Sequence, residues 1–159
     1  MIELQPLRYI FIMSKVLVIY QSLSGNTKKI AEAIAQGAKT KYVKVNEVEE
    51  KDLTDAEIIF LGSGIYMGQH HRQLLDLVNK LKMDTKVYIF STAGMPWLRF
   101  LWHRQLKQRL VKRKIKIIGE VCFKGFDTFG PLKFFRGINQ DRPNEKDLEK
   151  AREIGEKFI

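Results

Sequence analysis

Hydroxyl side chains are concentrated in one short segment that follows an apolar run and precedes a helical pattern. The segment reads Ser22-Leu23-Ser24-Gly25-Asn26-Thr27. Hydroxyls, free backbone N–H groups and the positive end of a helix dipole together suit a phosphate group. A plain strand-to-helix turn capped by Ser24 or Asn26 would have a similar composition. We therefore expect residues 22–27 to form a phosphate cradle or a capped turn, and we favour the cradle.

Two further loops have unusual compositions, and each follows an apolar segment. The first reads Gly62-Ser63-Gly64-Ile65-Tyr66-Met67-Gly68-Gln69 and places large side chains between glycines. The second reads Ser91-Thr92-Ala93-Gly94-Met95-Pro96-Trp97; its first four residues are small and it ends in an aromatic residue. Because small residues let a ligand approach the backbone, we expect both loops to contribute to a binding site.

Apolar runs that alternate with helical patterns indicate parallel β-α-β units. The predicted strands are Lys15–Tyr20, Lys41–Val45, Glu57–Leu61, Lys86–Phe90 and Lys116–Phe123. The predicted helices are Asn26–Gly37, His70–Leu81, Leu98–Val111 and a last helix capped by Asn144. The fold class is thus α/β, a doubly wound five-stranded parallel sheet with helices on both faces. Since such sheets bind ligands beyond the carboxyl ends of their strands, the three loops should meet there.

Composition and length fit one soluble globular domain. The chain has 159 residues, of which 45% are hydrophobic and 29% charged, and no apolar run reaches the roughly 18 residues of a membrane helix. Residues 1–13 are expected to be an extension, disordered or a start-site artefact, and residues 14–159 the domain. The single cysteine, Cys122, excludes a disulfide framework and fits a reducing cytoplasmic setting. We expect it to be buried in a strand.

Positive charge is concentrated in one segment of the chain. The formal net charge is +10, and eight basic residues but no acidic residue lie from Arg99 to Lys116. This basic segment is either a solvated helix face or an electrostatic dock. As a dock it would take an acidic redox partner protein or an anionic membrane surface. No nucleic-acid motif accompanies the charge, so we do not expect nucleic-acid binding.

The segment at residues 22–27 resembles the phosphate loop of the flavodoxin family, which reads [ST]-x-[ST]-G-x-T after the first strand. Ser22, Ser24, Gly25 and Thr27 fit that pattern. The resemblance implies a flavodoxin-like fold with strand order 2-1-3-4-5 that binds FMN. The segment from Gly62 through Met67 and Gly68 to His71 is also similar to flavodoxin-type protoporphyrinogen oxidases.

The resemblance also implies which residues would contact FMN. Residues 22–27 would hold the phosphate, and the isoalloxazine ring would lie between Tyr66 with Met67 on one side and Trp97 on the other. The small residues after the fourth strand would meet its pyrimidine edge. The implied cofactor-binding residues are Ser22, Leu23, Ser24, Gly25, Asn26, Thr27, Gly64, Ile65, Tyr66, Met67, Ser91, Thr92, Ala93, Gly94 and Trp97.

The three histidines do not point to a metal site. His70 and His71 are adjacent, so on the predicted helix they would face different directions, whereas helical metal pairs prefer a spacing of four residues. We expect the pair to pack and cap the start of the helix; alternatively, one of them would shuttle a proton near the flavin. His103 lies within the basic segment, and we expect it to be solvated.

Two functions fit these residues. The first is an FMN-binding electron-transfer protein, and the alternative is an FMN-dependent oxidase or quinone oxidoreductase. The basic charge, the resemblance around Tyr66 and His71, and an aromatic loop at Gly125–Arg142 favour the enzyme. No residue compels a specific reaction, so we assign no catalytic residue and favour the carrier. A flavin-free interaction module would need a degraded phosphate loop, and the loop is intact.

Overall fold

The computed structural model describes residues 15–125 and 141–159. The predicted extension at residues 1–13 and residues 126–140 of the aromatic loop lie outside these ranges. The strands are β1 Val16–Gln21, β2 Tyr42–Lys44, β3 Ile58–Tyr66, β4 Gln69–His70, β5 Lys86–Ala93 and β6 Lys116–Lys124. The helices are α1 Asn26–Gly37, α2 Glu50–Asp55, α3 Arg72–Leu77, α4 Arg99–Trp102, α5 Arg104–Lys112 and α6 Glu145–Glu156. Short 3-10 turns cover Val45–Glu47, Val78–Lys80 and Pro96–Leu98.

The strands of the central sheet lie in the order β2-β1-β3-β5-β6, and all of these pairs are parallel. The predicted order 2-1-3-4-5 is confirmed, because the fourth and fifth predicted strands are β5 and β6. The short strand β4 pairs antiparallel with the end of β3. Parallel neighbours require a crossover between them, and α1, α3 and α5 occupy these connections.

Both faces of the sheet are buried, which explains the nearly continuous apolar runs of the strands. In β1, Leu17 and Ile19 face one core, while Val18 and Tyr20 face the other. The first core contains Leu74, Leu75, Leu106 and Leu110 from α3 and α5. The second contains Ile30, Ile34, Ala151 and Ile154 from α1 and α6. Alternating side chains therefore fix the sheet between two helical layers.

Helices α1 and α6 cross at two glycines. A Cβ atom on Gly37 would lie 2.0 Å from the carbonyl oxygen of Arg152, and one on Gly155 would lie 2.1 Å from that of Ile34. Neither helix could approach the other this closely with a larger residue at these positions. The start of α6 is held by Asn144, whose side chain accepts a hydrogen bond from the Asp147 N–H, as predicted for this cap.

The structure corrects the expected ends of several elements. Strand β3 does not end at Leu61 but continues to Tyr66, so the expected loop at Gly62–Gln69 is mostly strand and hairpin. Met67 and Gly68 form its turn, with φ angles of 51° and 80°. Such a turn matches the twist of the paired strands and lets β3 double back. His70 is consequently in β4 rather than in a helix, and α3 begins at Arg72.

The basic segment is also divided differently from expectation. It forms two helices, α4 and α5, which meet at His103, instead of one helix over Leu98–Val111. Leu106 and Leu110 are fully buried, whereas Leu101 is 44% exposed. Within the described residues, no helix is long and apolar enough to cross a membrane.

Candidate functional site

Three chain segments meet at the carboxyl end of the sheet. The Leu23 N–H donates to the hydroxyl of Tyr66 at 3.2 Å, which joins the loop after β1 to the end of β3. The hydroxyls of Thr27 and Thr92 lie 2.8 Å apart, which joins the start of α1 to the end of β5. The Gly125 N–H then donates to the carbonyl of Ala93 at 3.0 Å. These contacts bring together the segments that the sequence assigned to one site.

The loop at residues 22–27 is shaped by a left-handed glycine. Gly25 has a φ angle of 89° and is the N-cap of α1, a conformation that favours glycine. Its N–H donates to the Ser22 hydroxyl at 2.9 Å, and its carbonyl accepts from Lys29 at 3.2 Å. The alternative to a phosphate cradle, a turn capped by the side chain of Ser24 or Asn26, is not formed, since α1, a fully described helix, has no side-chain cap.

The surroundings of Gly25 suit an anion better than a cation. The next three residues include no acidic side chain, and the first N–H groups of a helix lack intrahelical acceptors. A Cβ atom built on Gly25 would meet no atom within 4 Å, so the space beside the helix start is open. Ser24 and Leu23 are exposed, whereas Asn26 and Thr27 are buried.

The end of β3 presents Tyr66 across the site. The Tyr66 ring folds back over Gly64, where a Cβ atom would lie only 2.6 Å from the Tyr66 hydroxyl. Burial raises the pKa of the Tyr66 hydroxyl, which therefore stays protonated at neutral pH. Ile65 is half-buried, and Met67, at the hairpin turn, is 92% exposed. The ring of His71 meets Tyr66 edge-on, with centroids 5.6 Å apart.

The end of β5 divides its two hydroxyl residues between opposite faces of the sheet. Thr92 faces α1 through its contact with Thr27, whereas Ser91 faces α5 and is fully buried. Ala93 and Gly94 follow, half-buried. Trp97 lies in the turn after β5, and its side chain is 64% exposed. The loop predicted at Ser91–Trp97 thus begins as strand and ends as an exposed aromatic residue.

A chain of buried hydrogen bonds lies directly behind this strand end. His103 Nε2 is 2.7 Å from Ser91 Oγ, and His103 Nδ1 is 2.9 Å from Glu120 Oε2. Since an ionised carboxylate only accepts, Nδ1 carries the proton and donates to Glu120, and Ser91 donates to the neutral Nε2. Lys107 completes the chain, with Nζ 3.1 Å from the other oxygen of Glu120. The expectation that His103 is solvated is wrong, because its side chain is fully buried.

The charges in this chain follow from burial and pairing. Burial lowers the pKa of His103, although the bond to Glu120 acts in the opposite direction. Burial acts to raise the pKa of Glu120, but the bonds from His103 and Lys107 outweigh it and the pKa is lowered. The chain therefore contains a neutral imidazole and a carboxylate near neutral pH.

Serine, histidine and glutamate in this order have the connectivity of an acyl-transfer triad. A nucleophile must reach its substrate, and the Ser91 side chain has no exposed surface. The arrangement accordingly serves to fix β5, β6 and α5 against one another. It does not provide hydrolytic chemistry.

His70 forms a second buried group beside the first. Its Nδ1 is 2.9 Å from the hydroxyl of Ser63, which also accepts the His71 N–H at 3.0 Å. Ser63 and Ser91 are opposite each other on adjacent strands, and the rings of His70 and His103 are 5.1 Å apart. Burial lowers the pKa of His70 well below its usual value. His71, as expected, caps a helix: its Nδ1 accepts the Gln73 N–H at 3.2 Å.

Sequence reasoning identified the loops but missed Ser63, His103 and Glu120. The sequence places Ser63 in a glycine-rich loop and Glu120 in an apolar strand, and it predicts no partner for either residue. The sequence did contain a sign of this pairing: Glu120 is a charged residue in the middle of an apolar strand that is predicted to be buried. A buried carboxylate needs a partner, and a histidine in the preceding helix can provide one.

Cys122 lies in β6, half-buried rather than fully buried. Burial raises the pKa of its thiol from 9.0 to about 11. In the described part of the chain, no group of three or more His, Cys, Asp or Glu side chains is arranged to hold a metal ion.

The structure defines a doubly wound α/β protein in which the loop after β1 lies at the carboxyl end of a parallel sheet. Residues 17–114 match the flavodoxin domain family. The chain belongs to this family, since the match spans more than half of its length.

Known relatives agree with this assignment. An uncharacterized protein of Methanocaldococcus jannaschii is 37% identical over 147 residues, which cover 91% of this chain and 98% of that protein. A flavodoxin of Aquifex aeolicus is 40% identical over 62 residues, 35% of this chain and 34% of that protein. The solved structure of a flavodoxin from the domain Archaea superposes with a TM-score of 0.67 over 91% of this chain and 95% of that one, at 19% identity. At this identity the superposition shows the fold alone.

Proposed function

We propose that this protein binds FMN and transfers electrons. The observation that carries the proposal is the start of α1, where a left-handed Gly25 leaves open space beside helix N–H groups and the hydroxyls of Ser22 and Ser24. Such a helix start stabilises the phosphate of FMN through backbone dipoles without a charged side chain. Family membership supports a flavin in particular.

The residues present fit each part of FMN. Residues 22–27 would bind the phosphate. The Thr27 hydroxyl would donate a hydrogen bond to the phosphate while it accepts one from the Thr92 hydroxyl. Tyr66 and Met67 would contact one side of the flavin ring and Trp97 the other. The exposure of Met67 and Trp97 fits this role, because both offer apolar surface that a flat ring can cover. Gly64 and Ile65 would contribute backbone, and Thr92, Ala93 and Gly94 would meet the pyrimidine edge. Ser91 has no exposed surface and would support that edge from behind through its bond to His103.

Bound FMN would supply reversible transfer of one or two electrons. The residues of this chain would position the flavin and bury part of it. Tyr66 stays protonated, so its hydroxyl introduces no negative charge beside the phosphate loop. The bonds of Ser91 to His103 and of Thr92 to Thr27 hold the end of β5 from both faces. The ring would consequently lie against a rigid strand end.

A carrier exchanges electrons with another protein, and we propose that a redox partner docks through the basic segment from Arg99 to Lys116. An anionic membrane surface is the other candidate for this segment. We place the protein in the cytoplasm, in keeping with its single reduced cysteine.

An FMN-dependent oxidase or quinone oxidoreductase is the second candidate function. The observation that favours it is the contact between the His71 and Tyr66 rings, 5.6 Å apart, at the proposed flavin wall. A histidine there can exchange protons with a small substrate. This ring contact alone assigns no specific reaction, so the carrier is favoured.

Reconstitution tests the cofactor, and a redox titration separates the two functions. The purified protein mixed with FMN and passed over a desalting column should retain flavin absorbance; a colourless protein would exclude both functions. The flavin-loaded protein should then be reduced in two separate one-electron steps if it is a carrier. A single two-electron transition, together with turnover of a quinone or of protoporphyrinogen, would favour the enzyme.

A further inference from the structure

The basic segment from Arg99 to Lys116 contains cations with two different roles. Arg109 bonds to Asp76 and to the carbonyl of Leu75, at 3.3 and 3.2 Å. Arg113 donates to the carbonyls of Asn79 and Leu81. Helix α5 is held against the rest of the protein by these two arginines and by the bond between Lys107 and Glu120.

The remaining cations of α5 point away from the fold. Arg104 and Lys112 are exposed, and within residues 15–125 and 141–159 neither forms an ion pair. They lie on a continuous surface of α4 and α5, which we call the α5 stripe. It consists of Phe100, Arg104, Lys107, Gln108, Val111 and Lys112, and these residues line a shallow depression of about 480 Å³.

The stripe combines charge with apolar surface. Phe100 is 62% exposed and Val111 is 65% exposed, although both are large hydrophobic residues. Exposed aromatic and aliphatic groups surrounded by arginine and lysine are typical of protein interfaces, where apolar anchors supply affinity and charges guide association. A solvated helix face would not need Phe100 and Val111.

The stripe continues to the mouth of the proposed flavin site. The Trp102 Nε1–H donates to the Met95 carbonyl at 2.8 Å, and the indole would be 3.5 Å from a Cβ atom on Gly68. Helix α4 is therefore fixed between the turn after β5 and the β3–β4 hairpin, the two segments proposed to enclose the flavin ring. A partner that covers the α4 end of the stripe would therefore lie beside the proposed flavin edge.

We propose that the α5 stripe is the docking surface for an acidic electron-transfer protein. This inference rests on the proposed function, because the partner exchanges electrons with bound flavin. A second copy of this chain is disfavoured, since two chains of charge +10 repel each other. A membrane is disfavoured because two of the six stripe residues, Phe100 and Val111, are apolar, whereas a helix that inserts into a membrane surface presents a whole apolar face.

The test uses two haem proteins of opposite charge as probes: the soluble domain of cytochrome b5, which is acidic, and cytochrome c, which is basic. Fully reduced flavin holds two electrons, so each reduced protein molecule should convert two ferric haems to ferrous and return to the oxidised state. Stopped-flow rates are measured from low to high salt. With cytochrome b5 the rate should fall as salt screens the attraction, and with cytochrome c it should rise.

Charge reversal localises the effect. Arg104→Glu/Lys112→Glu should slow the reaction with cytochrome b5 by about tenfold at low salt. The matched control is Lys51→Glu/Lys157→Glu. It changes the net charge equally, at two exposed positions outside the α5 stripe: Lys51 in α2 and Lys157 just after α6. The control should change the rate by less than about twofold. Equal slowing by both variants would overturn the inference, because net charge alone would then explain it.

A second measurement is independent of the cofactor. Adding cytochrome b5 to the flavin-free protein should shift the backbone NMR signals of Phe100, Arg104 and Val111. If FMN does not bind, the proposed function fails, but this measurement still tests the docking surface. Absence of these shifts would overturn the inference. So would vesicle binding that requires phosphatidylserine and is lost in Arg104→Glu/Lys112→Glu, since it would identify a membrane site.

Discussion

Thr27 Oγ1 lies 2.8 Å from Thr92 Oγ1, with one residue in the first turn of α1 and the other near the end of β5. Both side chains are at least 95% buried. The contact ties the loop proposed to bind phosphate to the strand proposed to border the flavin ring, although the two residues are far apart in sequence. The distance between these two parts of the site is thereby fixed before any ligand binds.

This contact should appear as a coupling energy. Thr27→Val and Thr92→Val each remove a hydroxyl while nearly preserving side-chain volume, and each leaves the other hydroxyl without its partner. We expect each single variant to lower the free energy of unfolding by about 1 to 2 kcal/mol. The double variant should lose about 1 kcal/mol less than the sum. Urea denaturation of the four proteins measures this, and strictly additive losses would contradict the contact.

Acid should destabilise the protein in a window set by its buried histidines. The pKa values of His70 and His103 are lower in the folded protein than the value of about 6.5 in an unfolded chain. At a pH between the folded and the unfolded pKa of a histidine, the unfolded chain binds more protons than the folded protein. The free energy of unfolding therefore falls as the pH is lowered below about 6.5. Each histidine can contribute up to about 1.4 kcal/mol per pH unit.

The lowered pKa of Glu120 acts in the same direction at lower pH, because the stability it provides is lost as the pH falls through its folded value. Denaturation curves from pH 7 to pH 5 measure the trend, and His103→Ala should reduce its slope. A free energy of unfolding that stays constant over this range, or an unchanged slope in His103→Ala, would show that these imidazoles are not held neutral.

The close crossing of α1 and α6 predicts an unusual effect of alanine. Alanine usually stabilises a helix relative to glycine by about 1 kcal/mol. In Gly155→Ala, however, the new methyl group would be 2.1 Å from the Ile34 carbonyl oxygen, so the helices must separate. We expect a net loss of roughly 2 kcal/mol in thermal or urea denaturation. Glu153→Ala, at an exposed position of the same helix, is the control and should be nearly neutral. A stabilised Gly155→Ala protein would argue against the crossing.

Cys122 should react slowly in the native protein. Only the thiolate is nucleophilic, and burial raises the thiol pKa from 9.0 to about 11. The thiolate fraction near neutral pH is thus about a hundredfold smaller than in an ordinary cysteine. Because a thiolate of higher pKa is also more nucleophilic, reaction with a disulfide reagent should be at least about tenfold slower in the folded protein than in guanidinium chloride. Similar rates in both conditions would mean that the thiol is accessible and not perturbed.

The sequence was sufficient for the sheet and for helix α1. The continuous apolar run of β1 and a helical stripe at Ile30 and Ile34 are local signals, and both faces of the sheet are buried as they indicate. The glycines at positions 62 and 64 misled the prediction. They suggested a loop, but Gly62 lies under the ring of Phe90 and Gly64 under that of Tyr66. Strand β3 continues past Leu61 because Ser63 and Gly64 pair with Ser91 and Thr92 of β5, which are distant in sequence.

The buried histidines escaped prediction for a related reason. His103 stands among basic residues, which locally indicates a solvated helix. Its burial depends on Glu120 and Ser91, which come from two different strands. No pattern within the helix reports that pairing. In the same way, the sequence counted the cations from Arg99 to Lys116 but could not divide them into those that fasten α5 and those that remain free.

The most direct test of the FMN proposal compares FMN with riboflavin, which has the same ring but no phosphate. If residues 22–27 bind the phosphate, the protein should bind FMN at least about a hundredfold more tightly than riboflavin in fluorescence titrations. Ser24→Ala/Thr27→Ala should reduce this preference by about tenfold or more and change riboflavin binding little, since riboflavin reports any general damage to the site. Equal affinities of the unaltered protein for the two flavins, or a preference unchanged in the variant, would contradict the assignment.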